Sequence, residues 1–223
     1  MEYIPITLPG TQPNVPGFDG PFLPRNERFH RGFYHLQLND CLYRSLVQGY
    51  EYIAVIDVDE MIVPNPSYRT WPQVMHHTVS ENPGYDCYYF QTRIILMEEW
   101  ETTGWLQDYS IKLRHTKAAE YPDGSPRLGK SICVTNKQEI MSNHFSEVCY
   151  PGDRSCSTHL TSTDIGELYH YGKCPVQNCT GSGWNGTCDG ESCEVVQKTS
   201  LLAHKDSVRQ GVIHTLRELE LLS

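Results

Sequence analysis

The sequence has no run of lysine or arginine residues and no long uncharged apolar segment. With 18 basic and 27 acidic residues, its formal net charge is −9, and it offers no surface suited to tracking phosphates. We therefore expect no nucleic-acid partner. A bilayer span needs about 18 uncharged apolar residues, and neither such a span nor a signal peptide is recognisable. The protein is thus cytosolic, or its targeting segment is missing.

The sequence also lacks a C-x-x-C pair in its cysteine-rich region, at about residues 149–193, where zinc knuckles and ribbons would usually present one. Crowded cysteines without that spacing favour disulfides and an oxidising compartment. Two glycosylation acceptors, at Asn178 and Asn185, lie in the same region and favour a lumenal or extracellular site. Because nine cysteines is an odd number, at least one thiol is free or pairs outside the chain.

The pattern of apolar residues predicts an α/β domain over residues 31–223, preceded by a proline-rich irregular segment over residues 1–30. A helix is predicted over residues 31–48, and the apolar run of residues 52–56 predicts a strand covered on both faces, as in a parallel sheet. Further predictions are a helix at about 70–79, strands at 85–95, 130–135 and 167–171, and a closing helix from Ser207. Pro64 and Pro66 are interpreted as a break in regular structure.

Three carboxylates follow the apolar run, at Asp57, Asp59 and Glu60. In an extended chain, residues i and i+2 point to the same side, so Asp57 and Asp59 could converge on one cation while Val58 stays packed. Carboxylates suit Mn²⁺ or Mg²⁺ that also binds a diphosphate. An isolated Asp-x-Asp more often caps a turn or faces water. Beside a buried apolar run, however, the two aspartates would repel each other unless a cation supplied the countercharge.

These residues also carry a resemblance to a known family. The segments at residues 39–44 and 52–64 resemble the core of glycosyltransferase family 92, in the order of helix with a cysteine, strand, acidic motif and proline. Residues 129–132 with 143–144 resemble its second block, and residues 168–171 resemble its late His-Tyr motif. The similarity covers roughly residues 33–171.

The resemblance implies a partial GT-A fold, a mixed sheet flanked by helices with a cysteine-rich loop insertion. It implies a metal-dependent, inverting transfer of a hexose, typically galactose, from a nucleotide-sugar such as UDP-galactose to a glycan acceptor. Mn²⁺ or another divalent cation would be the cofactor. By the same resemblance Asp59 and His170 would be metal ligands, and Asp57 would bind the metal, its water or the ribose. Lys130 and Tyr171 would contact the donor, and Glu60 would brace the loop.

An inverting transfer also needs a general base to deprotonate the acceptor hydroxyl. The candidates are three acidic residues beyond the motif: Glu98, Glu99 and Asp108. A solvated charged loop is the alternative interpretation of each one.

Because the family carries further strands before its acidic motif, we expect this chain to be truncated at its amino terminus. A missing membrane anchor there would make the full-length protein a single-pass protein of the Golgi lumen.

Two other functions remain open at this point. Haloacid-dehalogenase-like phosphatases also place Asp-x-Asp after an apolar strand, although their motif expects Thr or Val where Met61 stands. Alternatively, the chain is a non-catalytic, secreted, disulfide-stapled binding protein.

Overall fold

The computed structural model describes residues 27–96, 111–113, 115–120, 129–152, 154–172 and 194–218. Three helices are present in these ranges: α1 (Glu27–Gln48), α2 (Trp71–Glu81) and α3 (Lys205–Glu218). The strands are β1 (Tyr52–Ala54), β2 (Glu60–Pro64), β3 (Cys87–Phe90), β4 (Thr92–Leu96), β5 (Lys117–Glu120), β6 (Lys130–Val134), β7 (Gln138–Met141), β8 (Ser146–Cys149), β9 (Thr158–Leu160), β10 (Gly166–Gly172) and β11 (Glu194–Gln197). Short 3₁₀ turns occupy Ile111–Leu113, Thr135–Lys137 and Ser200–His204.

The strands form two mixed sheets and a hairpin. The first sheet has the order β1-β6-β3-β9, and the second has the order β11-β5-β4-β10-β2. Among the strands of the described ranges, β3 with β9 and β4 with β10 are the parallel pairs, and β7 and β8 form the hairpin. Mixed sheets flanked by helices confirm the predicted α/β fold class.

The position predicted for the first strand is wrong in one respect. β1 covers only residues 52–54, lies at the edge of its sheet and pairs antiparallel with β6. Its apolar run is therefore not the centre of a parallel sheet. Helix α1 packs beside it, since Leu42 shares a buried cluster with Ile53 and Met141.

Two further strand predictions also differ from the structure. The single strand expected over residues 85–95 is divided at Gln91 into β3 and β4, which belong to different sheets. Residues 60–64 form β2, although Pro64 suggested a break; as the last residue of a strand at the sheet edge, this proline needs no further ladder bond.

The helices agree with the sequence more closely. Helix α1 begins at Glu27 rather than near residue 31, so the segment expected to be irregular ends earlier, and residues 1–26 lie outside the described ranges. Gly49, with φ of 74°, follows its last residue. Helix α2 begins after Thr70, whose side chain accepts a hydrogen bond from the Gln73 amide. None of these helices is both long and apolar enough to cross a lipid bilayer.

Two disulfides join parts of this framework. Cys87–Cys133 links β3 to β6 at directly opposed positions, and Cys149–Cys156 closes the segment after β8. Cys41 is free and exposed. The region expected to be one cysteine-rich loop contains β9 and β10, while residues 173–193, with the two glycosylation acceptors, lie outside the described ranges.

Candidate active site

The acidic motif lies in a tight turn between β1 and β2. The Glu60 amide donates to the Asp57 carbonyl at 3.0 Å, and the Asp57 amide donates to Glu60 Oε2 at 3.1 Å. The expected extended arrangement of Asp57 and Asp59 is therefore wrong. Val58 is not packed either, because the turn leaves it 96% exposed.

Lys130 meets the first end of this turn from β6. Its side chain is 0% exposed, and its Nζ lies 3.0 Å from Asp57 Oδ2 and 3.4 Å from Glu60 Oε2. The same Nζ donates to the Asn143 carbonyl at 3.0 Å and to the Asn143 side-chain oxygen. A buried ammonium is thus surrounded by protein oxygens, as a buried charge requires.

Asp57 has partners on both carboxylate oxygens. Besides Lys130, Oδ2 lies 3.5 Å from the Asn143 amide nitrogen, and Oδ1 lies 3.5 Å from the hydroxyl of Tyr34 on α1. Burial raises the pKa of Asp57, but the hydrogen bond from Lys130 and its positive charge together outweigh that effect. The pKa of Asp57 is therefore lowered from its ordinary value. Burial and the Asp57 carboxylate raise the pKa of Tyr34 to about 12. Asp57 is therefore ionised and Tyr34 neutral at pH 7.

Asp59 points to a different neighbour. Its side chain is 52% exposed, and its Oδ2 lies 3.3 Å from Nε2 of His170, which is 20% exposed. Strand pairing creates this contact, since His170 on β10 is in register with Glu60 on β2. The Tyr171 amide also donates to the Asp59 carbonyl at 2.8 Å.

Glu60 lies behind this pair. Its Oε1 is buried without a hydrogen-bond partner and lies 3.9 Å from Nδ1 of His170. A metal-bound histidine usually turns its second ring nitrogen toward a carboxylate or carbonyl, so this arrangement fits a cation bound by Asp59 and His170. The Asp59 carboxylate also matches the oxygen preference of Mn²⁺. Within the described ranges, no three His, Cys, Asp or Glu side chains come together to hold a metal by themselves.

Lys112 binds the main chain of the turn. Its Nζ donates to the carbonyls of Val58 at 2.8 Å and Glu60 at 3.3 Å, and it lies 5.2 Å from the centre of the Tyr171 ring. Burial lowers the pKa of Lys112, while Asp59 and Glu60 act in the opposite direction. The Tyr171 side chain is buried under this ammonium, and burial raises its pKa.

The structure thus separates the predicted site residues into two neighbouring groups. Asp57 and Lys130 are joined on one side of Glu60, and Asp59 and His170 on the other. The proposed general bases Glu98, Glu99 and Asp108 lie outside the described ranges. Lys112 and Tyr34 are not predicted as site residues, because a lone lysine or tyrosine carries no local sequence signal for a contact this distant along the chain.

Comparison with known families now adds to this geometry. The sequence profile of glycosyltransferase family 92 matches residues 1–210. No curated protein sequence matches the chain. The matched range contains the acidic turn, Lys130 and His170, and the suspected resemblance is confirmed. The chain belongs to glycosyltransferase family 92.

Proposed function

We propose that this glycosyltransferase transfers the hexose galactose from a nucleoside diphosphate sugar to a glycan acceptor. The transfer inverts the configuration at the anomeric carbon, and Mn²⁺ is the cofactor. The observation that carries the proposal is the contact between Asp59 Oδ2 and His170 Nε2 at 3.3 Å. These groups lie at the end of the turn where the family's acidic motif stands.

The chain's own residues would divide the work as follows. Asp59 and His170 would hold the cation, and Glu60 would orient the His170 ring through its free Oε1. A bound divalent cation would neutralise the charge that develops on the departing nucleoside diphosphate. Because the protein supplies two ligands here, coordination positions are left for diphosphate oxygens and water.

An inverting transfer needs a base within hydrogen-bond reach of the acceptor hydroxyl. Glu98, Glu99 and Asp108 stay our predicted candidates for that base. Lys130 and Tyr171, predicted to contact the donor, are both buried, so any contribution from their side chains would be indirect.

We further propose the Golgi lumen as the compartment, with a membrane anchor in the full-length protein. Two disulfides within the folded core support an oxidising compartment. Family membership counts against the haloacid-dehalogenase-like alternative.

The test is Mn²⁺-dependent release of UDP from UDP-galactose with a fucosylated glycan as acceptor. We expect activity in the full-length protein and a loss of more than about tenfold in its Asp59→Asn and His170→Gln variants. Asp164→Asn, a matched change at an exposed position away from the turn, should keep parental activity. Equal activity in Asp59→Asn and the parent would refute the metal assignment, and glycan binding without UDP release would favour the non-catalytic alternative.

A further inference from the structure

Lys130 places an ammonium group inside the acidic site. Its ammonium has three protons, and four protein oxygens surround it, from Asp57, Glu60 and Asn143. The side chain is fully buried, so neither the sugar donor nor the glycan acceptor can reach it. Lys130 therefore acts on other residues of the site rather than on a substrate.

This charge satisfies Asp57. Oδ2 of Asp57 is taken by Lys130 and Asn143, and Oδ1 faces the Tyr34 hydroxyl. Moving Asp57 onto a metal would leave the buried ammonium short of its nearest carboxylate, which costs free energy. Asp59 is more exposed and has no contact with Lys130, so it can take a cation without such a loss.

Lys130 also fixes the geometry of the turn. It holds the side chains of Asp57 and Glu60, the first and last residues of the turn, and these two are joined to each other by two hydrogen bonds. Asp59 lies between these fixed ends. Its direction toward His170 therefore depends on the turn ends that Lys130 holds, together with the pairing of β2 with β10.

We propose that Lys130 is a positioning residue, a built-in cation that keeps Asp57 out of the metal-ligand set and aims Asp59 at the metal shared with His170. The inference rests on the proposed function, because it concerns the same metal. It assigns the two aspartates of the motif different tasks: Asp57 pairs with the internal ammonium, and Asp59 binds the external cation.

The primary test is the affinity for Mn²⁺, measured by water-proton relaxation with saturating UDP. The parent protein is compared with three aspartate-to-asparagine variants and one histidine-to-glutamine variant. We expect Asp59→Asn and His170→Gln to weaken Mn²⁺ binding more than about tenfold. Asp57→Asn should stay within about threefold of the parent, as should the control Asp164→Asn. If Asp57→Asn weakens binding as much as Asp59→Asn, the inference is overturned while the proposed function stands. If the parent binds no Mn²⁺, both fail.

A second measurement separates positioning from simple stabilisation. In a Lys130→Met background, checked for folding by circular dichroism, Asp57 is released and can reach the metal. Adding Asp57→Asn there should then weaken Mn²⁺ binding more than about tenfold, unlike its small effect beside Lys130. An equally small effect in both backgrounds would contradict the proposal. If Lys130→Met does not fold, the comparison of Asp57→Asn with Asp59→Asn still decides.

Discussion

Gly129 stands where the backbone of β3 leaves no room for a side chain. A Cβ added there would lie 2.0 Å from the Phe90 carbonyl oxygen and 2.9 Å from the Tyr89 ring. The Gly129 amide also donates to the Tyr89 hydroxyl. Because Lys130 follows directly, this close approach fixes where the buried ammonium enters the site.

We predict that Gly129→Ala lowers the free energy of unfolding by about 3 kcal/mol, because the obstructing Phe90 atom is backbone and cannot rotate away. Gly211→Ala is the matched control. Gly211 lies in α3 with open space around it, so alanine there should raise stability by about 0.5–1 kcal/mol. Urea unfolding of both variants checks the pair. Similar effects of the two changes would contradict the crowding at Gly129.

The residues of the site differ in how far the sequence could predict them. Asp57, Asp59 and Glu60 adjoin one another in the chain, so the apolar run before them marks the motif. Lys130 and His170 are predicted only through the family resemblance. Lys130 lies 73 residues from Asp57 in the sequence, and His170 lies 111 residues from Asp59, so no local pattern links them. The pairing of Asp57 with the Lys130 ammonium was not predictable, because it depends on which side chain the sheet brings near.

At the scale of elements, the Asp86 carboxylate, next to the start of β3, accepts hydrogen bonds from the segment after β8. Asp86 is 1% exposed, and Arg154 donates to its two oxygens at 2.6 and 2.8 Å. The amide and hydroxyl of Ser157 both donate to Oδ2 at 2.8 Å. The hydrogen bond from Arg154 is the largest influence that lowers the pKa of Asp86, and Ser157 adds to it against the effect of burial.

This pairing predicts a specific dependence of stability on pH. Because the pKa of Asp86 is lower when folded, its stabilising effect is complete above the unfolded value of about 3.9 and is lost as pH falls. We expect Asp86→Asn to cost about 2–3 kcal/mol at pH 7. The difference from the parent should stay unchanged between pH 7 and about 5, and it should shrink as pH falls from about 4 to about 2, toward the lower pKa of the folded protein. Urea unfolding at several pH values measures it, and a constant difference across that range would contradict the assignment.

The elements show where periodicity is sufficient and where it fails. Helices α2 and α3 followed from a capping threonine and an apolar stripe, which act locally. The prediction of one continuous strand over residues 85–95 is wrong, because both sides of Gln91 form strand and only the pairing partners differ. Pairing partners are set by the whole sheet, so no local pattern reports the division.

At the scale of the whole molecule, the two disulfides found among the described residues restrict the unfolded chain to different degrees. Cys87–Cys133 joins residues 46 apart, and Cys149–Cys156 joins residues 7 apart. The sequence indicated disulfides but not these pairings, which require knowledge of the fold. Loop-closure entropy predicts stabilisation of about 4 kcal/mol for the longer loop and about 2.5 kcal/mol for the shorter one.

We therefore expect the double change of Cys87 and Cys133 to alanine to lower stability more than the same change at Cys149 and Cys156. Cys87, Cys133 and Cys149 are fully buried and Cys156 is half-buried, so the loss of packing acts in the same direction as the loop length. Guanidinium unfolding of the two double variants under oxidising conditions measures it. A greater loss from the shorter loop would contradict this account.

The turn that carries the acidic motif is held along its length. Lys112 binds the carbonyls of Val58 and Glu60, Tyr171 binds that of Asp59, and Glu60 receives the amide of Asp57. Its main chain is therefore ordered once the protein has folded. A nucleotide-sugar arriving at this turn would meet a preorganised surface, so that little conformational entropy remains to be lost on binding.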